Sequence, residues 1–381
     1  MFDYHRRYVW IQDKMERQGI DLIVYGSSPD IQYLTGSLAD WRRSRDLRHP
    51  EDCLFLPCEG EPILMSGVYS SAMSEYAWVK DKRFLHVLQD FRLEVKKALK
   101  DLVSDPKRVA IGEYTWSNMT LAVQSLLKNA KFVDADGMLD ELRMVKDAEE
   151  LDLMRKASGM TDEAMEKIIN EIHEGLSPRE LSLNIEHEGR LRGAVDVSFL
   201  PTSVMYKTGT PPDDRQTNYA PTQGLEENTS IAFDVGFVLN GYCSDWGRSF
   251  YYGKPKKHIS KAYKSLMNAV VEVTDMIGDE IKRTDEVFPQ LERLCDKAGY
   301  GDYLRARHPF KDVGHQIGVE CHENPWLRPE DKVEFRDGMV FCIEPKLWHR
   351  GEYNIRVEDM ITVKNGKAES ITKFDRVRFE L

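Results

Sequence analysis

The chain has 381 residues, of which 41% are hydrophobic and 31% charged, an ordinary balance for a globular protein. This length exceeds what one hydrophobic core usually holds, so we expect two domains. The net charge of −11 argues against a nucleic-acid partner, and no apolar run approaches the roughly 18 residues that cross a bilayer. Residues 1–10 do not resemble a signal sequence, and the six cysteines lack zinc-site spacing. We therefore expect a cytoplasmic protein with reduced thiols.

Residues 1–136 alternate helix and strand, which is typical of an α/β domain. Gly19 marks the end of the first helix. Helices are predicted at 6–18, 91–102 and 117–128. Strands are predicted at 21–25, 52–56, 62–65 and 109–111, with a turn at 27–29. Residues 137–146 are predicted to form a connector.

Residues 147–381 are predicted to form a second domain, in which helices precede and interrupt a set of strands. Asp147 would cap a helix at 148–169. Ser177, Pro178 and Glu180 form a capping box, which starts a helix ending near residue 191. Two more helices are predicted at 260–277 and 286–298, with strands elsewhere.

The dipeptide Asn240-Gly241 predicts a type I′ hairpin, because both residues tolerate the positive φ that this turn requires. It separates two runs with strand character, 230–238 and 241–252. The turn places Asp234 opposite Gly247, and Asp245 lies on the same strand as Gly247, two residues before it. Both carboxylates are therefore expected on one face of the sheet.

A second carboxylate face is predicted in the run 354–363, where Arg356 and Glu358 alternate with apolar residues. The most specific string, Gly-His-Gln-Ile-Gly-Val-Glu-Cys-His-Glu-Asn-Pro at 314–325, carries His315 between a glycine and a glutamine. His322 follows and could donate to a substrate oxygen or shuttle a proton.

Five residues are therefore candidates for one metal cage: Asp234, Asp245, His315, Glu344 and Glu358. Each acidic residue alone would more commonly be a solvated surface charge. As a set, carboxylates about 4 Å apart repel by roughly 4 kcal/mol at an effective dielectric near 20, so we expect two divalent cations among them. Oxygen-rich ligation favours Mn²⁺, Co²⁺, Fe²⁺ or Zn²⁺ over copper without choosing among them.

These motifs resemble the pita-bread metallopeptidase family, which includes methionine aminopeptidase, aminopeptidase P, prolidase and creatinase. The matching segments are 233–236, 241–250, 314–325, 339–345 and 354–363, with softer matches at 33–36 and 142–146. The resemblance implies a creatinase-like α/β domain at 1–136. It also implies an α+β pita-bread catalytic domain at 147–381, with a curved antiparallel sheet flanked by helices.

The resemblance also implies a role for each ligand. Asp234 would chelate one metal, Asp245 and Glu358 would bridge both, and His315 and Glu344 would hold the other. A metal-bridging hydroxide would then attack the scissile carbonyl.

Three catalytic roles follow from the same resemblance. Glu344 would handle the proton of the nucleophilic water, His322 would stabilise the oxyanion and contact the substrate, and Arg356 would steady the carboxylates.

One segment departs from the family pattern. Proline-specific members carry a His-Tyr-x-Pro-Thr-like string whose His contacts the substrate, and here the string at 218–222 begins with Asn218. Because Asn cannot carry a proton, we expect weak activity on standard Xaa-Pro dipeptides and a gain in Asn218→His.

Two reactions stay open: Xaa-Pro peptide cleavage, and hydrolysis of a small non-peptide zwitterion such as an ectoine-like amide or a sulfonium compound. The complete ligand set argues against a metal-free binding module.

The resemblance finally implies a homodimer, since in related enzymes the N-terminal domain of one subunit lines the active site of the other. Trp41 is our candidate for this substrate contact. It begins a basic loop whose arginines are Arg42, Arg43, Arg45 and Arg48. The alternative is that this loop is simply solvated.

Overall fold

The structure is a computed structural model that describes residues 2–38, 41, 52–67, 71–85, 91–309 and 311–381. The chain divides into two compact units, Met1–Leu142 and Arg143–Leu381. Each unit has its own sheets and its own buried apolar residues.

The N-terminal unit is built on one six-stranded mixed sheet in the order β4-β3-β2-β1-β5-β6. The β1–β2 and β2–β3 pairs are antiparallel and the other pairs are parallel. Its strands are β1 (Leu22–Gly26), β2 (Asp52–Pro57), β3 (Ile63–Gly67), β4 (Asp81–Leu85), β5 (Arg108–Ile111) and β6 (Lys131–Asp134). Its helices are α1 (Tyr4–Gln18), α2 (Pro29–Thr35), α3 (Ser71–Ser74), α4 (Phe91–Leu102) and α5 (Ser117–Leu126).

Helix α2 corrects the predicted turn at 27–29. Ser28 accepts a hydrogen bond from the backbone N–H of Ile31 at 3.3 Å, and Pro29 occupies the first turn of the helix. This is a Ser-Pro helix start like the one at Ser177. Strands β4 and β6 were also missed, because both are short and carry several polar residues.

The predicted connector at 137–146 contains a helix, α6 (Asp140–Met144). The division between the two compact units falls inside this helix. The segment is therefore ordered secondary structure instead of an extended linker.

The C-terminal unit begins with two capped helices. The Asp147 carboxylate accepts from the backbone N–H of Glu149 and Glu150, and Ser177 with Glu180 forms the predicted capping box. The unit's helices are α7 (Ala148–Asn170), α8 (Pro178–Leu191), α9 (Lys257–Met276) and α10 (Val287–Ala298). Within the described part of the chain, no helix has the length and apolarity needed to cross a membrane.

Every strand pair of the C-terminal unit is antiparallel across its named sheets. The sheets run β11-β10-β7, β12-β9-β8, β14-β13-β15-β18-β19 and β16-β17. The first strands are β7 (Asp196–Val197), β8 (Thr202–Lys207), β9 (Thr229–Asp234), β10 (Phe237–Leu239), β11 (Tyr242–Cys243) and β12 (Ser249–Tyr252). The later ones are β13 (Gly314–Gln316), β14 (Glu323–Trp326), β15 (Val340–Ile343), β16 (Lys346–His349), β17 (Tyr353–Arg356), β18 (Asp359–Lys364) and β19 (Lys367–Ser370).

The run 354–363 is broken into β17 and β18, so the single predicted strand was wrong in length. Its alternation was correct. The apolar side chains of this run lie in the core cluster that α9 and α10 also line: Ile355, Val357, Ile361 and Val363. Arg356 and Glu358 are thereby turned away from this core, toward the carboxylates described next.

Candidate active site

The hairpin at Asn240-Gly241 forms with the predicted register. Both turn residues have positive φ, 46° and 86°, and Leu239 pairs with Tyr242. The same register continues through the bridge Val235↔Trp246 and into the β9–β12 pair. Asp234, at the end of β9, therefore lies opposite Gly247, as the turn type required.

Gly247 joins this hairpin to the segment that carries Glu358. The backbone N–H of Glu358 donates to the Gly247 carbonyl at 2.8 Å. A Cβ at position 247 would lie 2.8 Å from Arg356 Nε and 2.9 Å from Glu358 Oε2, closer than Cβ atoms normally approach. Glycine here leaves the room that the Arg356 and Glu358 side chains occupy.

His315 is held with one ring nitrogen facing the carboxylates. Its Nδ1 lies 2.9 Å from the Gln316 carbonyl, which fixes Nδ1 as the protonated nitrogen and leaves a lone pair on Nε2. Nε2 lies 3.6 Å from Asp245 Oδ2 and 3.5 Å from Glu344 Oε1, and it makes no hydrogen bond. This is the second-sphere arrangement usual for a histidine that ligates a metal.

The structure gathers three of the five predicted ligands in one tight group with a residue that the sequence analysis did not select. Ligand atoms of Asp245, His315, Glu358 and Cys342 all lie within 4.8 Å of one another, and all four residues are buried. Two atoms in this group, His315 Nε2 and Glu358 Oε1, are buried without a hydrogen-bond partner. Leaving such atoms unpaired costs about 1–3 kcal/mol each, so the site suits a cation.

The other two predicted ligands lie at the edge of the group. Glu344 follows β15 and contacts His315 as given above. Asp234 is ion-paired with Arg356. Arg356 also contacts Glu344 Oε2 at 3.0 Å and Glu358 Oε2 at 2.6 Å, so it touches three of the four carboxylates. A second cation, Lys346, lies 3.0 Å from Glu344 Oε2 and was not identified from the sequence.

The two carboxyl groups of the central ligand group have opposite pKa shifts. Burial, and then the charges of Glu358 and Glu344, raise the pKa of Asp245 well above its usual range. Burial also opposes ionisation of Glu358, but Arg356 and His315 outweigh it and lower the pKa of that carboxyl. Burial and like charges thus oppose ionisation of Asp245, whereas neighbouring cations favour ionisation of Glu358.

His322 lies beside the group and is solvent-exposed. Its ring meets His315 edge-on, with 4.4 Å between ring centroids, and stacks on Trp326 at 5.4 Å. Partial burial against these rings, and then the proximity of His315, lowers the pKa of His322 to about 4. The ring is therefore neutral near pH 7 and retains one N–H for donation.

A buried ion cluster fixes the segment that carries both histidines, and sequence analysis missed its function. Arg143 Nη2 contacts Glu320 Oε2 at 2.6 Å and Glu323 Oε1 at 2.7 Å. Lys146 Nζ contacts Glu323 Oε2 at 3.1 Å and Gln316 Oε1 at 3.2 Å. Two residues of this cluster, Gln316 and Glu323, directly follow His315 and His322 in the sequence. Despite burial, the two cations lower the pKa of Glu323 to about 2.

The cysteines are reduced, and five of the six are buried. Cys321 Sγ donates to Asp245 Oδ2 at 3.2 Å. Burial and the Asp245 charge raise the pKa of Cys321 well above its usual range, so this thiol is not an activated nucleophile.

The predicted substrate-contacting residues have structural partners. Asn218 accepts from the Lys207 N–H at 2.7 Å and donates to the Lys207 carbonyl and to Thr210, which closes the loop between them. Trp41 donates to Gln32 Oε1 at 3.1 Å and packs against Tyr114. A substrate contact for Asn218 or Trp41 stays a prediction. The four arginines of the adjacent loop, Arg42, Arg43, Arg45 and Arg48, lie outside the described residues.

Comparisons with known proteins agree with this geometry. The model of metallopeptidase family M24 matches residues 152–365, and that of the creatinase/prolidase N-terminal domain matches residues 7–145. A Bacillus subtilis protein provisionally named as a dipeptidase is 28% identical over 249 residues, which are 65% of this chain and 65% of that protein. The chain thus aligns with slightly less than two thirds of that relative's length.

Solved structures match over the whole chain. The dipeptidase of Pyrococcus horikoshii OT3 has a TM-score of 0.84 at 25% identity, covering 99% of this chain and 100% of that one. The prolidase of Thermococcus sibiricus has a TM-score of 0.84 at 24% identity, covering all of both chains, and shows the same fold. The predicted fold class and family resemblance are confirmed. The chain belongs to metallopeptidase family M24, in the branch with a creatinase/prolidase N-terminal domain.

Proposed function

We propose that this protein is a dinuclear metal-dependent hydrolase that cleaves dipeptides, with Xaa-Pro dipeptides as the expected substrate class. The observation that carries the proposal is the buried group of Asp245, His315 and Glu358, in which two ligand atoms have no other partner. Glu344 and Asp234 would complete the ligand set from its edge. Family membership and the dipeptidase names of similar proteins support the same activity.

Bound divalent ions would supply an activated water and polarise the scissile carbonyl. Residues of the chain itself would provide the proton transfer, the contact to the oxyanion and the positioning of the carboxylates. Glu344 is partly exposed, so its carboxylate can take up the proton of the attacking water. Neutral His322 can donate its N–H to the oxygen on which charge develops. Arg356 holds three carboxylates at fixed spacing while the substrate binds.

A cavity of about 180 Å³ adjoins the ligand group and supports a small substrate. Glu344 forms part of its wall. Two cationic side chains, Arg305 and Lys346, also line it, as does Asp312. We propose that these cations bind the C-terminal carboxylate of a dipeptide.

Replacing Lys346 with methionine should therefore raise the KM for dipeptides by roughly tenfold to a hundredfold, equivalent to the 1.5–3 kcal/mol of a hydrogen bond to a charged group. The discriminating measurement compares each dipeptide with its C-terminal amide. Wild type should prefer the free acid, and Lys346→Met should lose that preference. The matched control is Lys311→Met, an exposed lysine next to the lining residue Asp312 that does not itself line the cavity. An unchanged preference in Lys346→Met would contradict the carboxylate contact.

A substrate panel tests the proposed function. Purified protein is loaded with each candidate metal and supplied with Xaa-Pro dipeptides, other dipeptides and small amide or sulfonium zwitterions. Turnover confined to the zwitterions would overturn the peptidase proposal.

The panel also tests Asn218, for which we predicted weak Xaa-Pro cleavage and a gain in Asn218→His. Because Asn218 holds Lys207 through two hydrogen bonds, Asn218→Asp serves as a control for simple damage to the loop.

We further propose a homodimer in which Trp41 and its arginine-rich loop contribute to the partner's substrate site. The proposal rests on the family resemblance and on the composition of that loop. Light scattering tests it. A monomer that is fully active at low concentration would contradict it.

A further inference from the structure

We propose that Cys342 is a sulfur ligand of the metal centre and that it biases the site toward thiophilic divalent ions, Zn²⁺ and Co²⁺, over Mn²⁺. The inference rests on the proposed function only in that a divalent ion binds the group of Asp245, His315 and Glu358. It adds a ligand that neither the acidic pattern nor the histidine motif supplies.

The strand geometry places Cys342 on the ligand face. It lies directly opposite His315 in the β13–β15 pair, so the two side chains share one face of the sheet. It also lies opposite Met360 in β18, and Glu358 precedes Met360 by two residues. Glu344 follows Cys342 by two residues and contacts His315 Nε2. Strand alternation thus directs Cys342 toward the same point as three predicted ligands.

The distances and burial place the Cys342 sulfur within the group of potential ligand atoms. Cys342 Sγ is one of four ligand atoms that lie within 4.8 Å of one another, and the residue is fully buried. Two atoms of the neighbouring ligands, His315 Nε2 and Glu358 Oε1, are buried without a hydrogen-bond partner. A cation that satisfies both atoms would therefore lie within reach of the sulfur.

Coordination by Cys342 would change which ion the site prefers. Thiolate ligands favour soft or borderline ions, whereas carboxylates and water suit Mn²⁺ and Mg²⁺. On binding, the Sγ–H bond is replaced by an Sγ–metal bond and the proton passes to the buffer. The mixed set of nitrogen, oxygen and sulfur donors is one that Zn²⁺ commonly accepts.

Cys321 provides the internal contrast. Its sulfur also lies beside the site, 3.2 Å from Asp245 Oδ2, and the residue is buried. Cys321 is not in the group of four ligand atoms. Cys321→Ser is therefore a matched control for removing a buried thiol next to Asp245.

The experiment is a titration of chelator-treated protein with Co²⁺, followed by absorption spectroscopy. Wild type and Cys321→Ser should show a sulfur-to-cobalt charge-transfer band in the near ultraviolet together with the visible d–d bands. Cys342→Ser and Cys342→Ala should keep d–d bands, which show that the site is folded, and should lose the charge-transfer band. Competition should show their preference for Zn²⁺ over Mn²⁺ falling by about tenfold or more.

A charge-transfer band that persists in both Cys342 variants would overturn the sulfur ligand. Wild type that shows d–d bands but no charge-transfer band would also overturn the sulfur ligand, although it would still show that the site binds a metal ion. If wild type bound no Co²⁺, Zn²⁺ or Mn²⁺, the proposed function would fail and this inference with it.

Discussion

Asp245→Ala and Glu358→Ala should each remove bound metal and lower the hydrolytic rate by roughly a thousandfold or more. Metal ions acting as Lewis acids contribute several kcal/mol of transition-state stabilisation, and each 1.36 kcal/mol is a factor of ten in rate. Both residues are buried in the central ligand group, so each variant leaves that group one carboxylate short. Elemental analysis should find less metal in each variant than in wild type.

The control for this prediction is Asp279→Ala. Asp279 is an exposed aspartate whose ion-pair partner is Lys367, and neither residue contacts the ligand group. This variant should keep metal and activity. Wild type treated with a chelator should be as inactive as the ligand variants. Its melting temperature should also fall, because bound ions no longer stabilise the native state. Full activity in protein shown to be metal-free would refute the proposed hydrolase mechanism.

Glu323→Gln should destabilise the C-terminal unit by about 3–5 kcal/mol, the usual result of removing one partner from a buried ion pair. Glu323 is 7% exposed and pairs with both Arg143 and Lys146, so its loss removes one carboxylate partner from each of two buried cations. Chemical denaturation should show the effect directly. Glu320→Gln is the matched control, because Glu320 is more exposed and contacts Arg143 alone among these cations.

The same carboxyl predicts a pH dependence of stability. The folded-state pKa of Glu323, about 2, lies below its ordinary value of 4.5. Its stabilisation is therefore complete above about pH 4.5 and is lost as the pH falls toward 2. Wild type should lose this contribution in that window, and Glu323→Gln should not. Parallel stability curves for the two proteins between pH 6 and pH 3 would contradict the role of the ion cluster.

The parts of the site that sequence analysis found are those fixed by local geometry. A two-residue turn sets the register that aligns Asp234 with Gly247, and strand alternation separates Glu358 from the apolar face. Cys342 was missed although the same alternation applies to it, since it lies two residues before Glu344. A rule that counted every potential donor on a ligand-bearing face would have found it.

Other contacts depend on residues that are far apart in sequence. Arg143 is 180 residues from Glu323, and no local pattern indicates that they meet. Residues 142–146, which include Arg143, matched the family pattern in the sequence. Their contacts with residues 314–325 became visible only in the structure. Likewise, Arg356 was expected beside Glu358, but its reach to Asp234 depends on how β17 lies against β9.

The Asn240-Gly241 turn has a consequence for how sequences of this kind can vary. One inserted residue in the turn would shift the register by one and send Asp245 to the opposite face from Asp234. A second Asn-Gly turn, Asn365-Gly366, joins β18 to β19 with the same positive φ angles, but no ligand follows it. The metal ligands therefore place no constraint on the length of the second turn, whereas the interval of 11 residues between the first two acidic ligands should stay constant among active relatives.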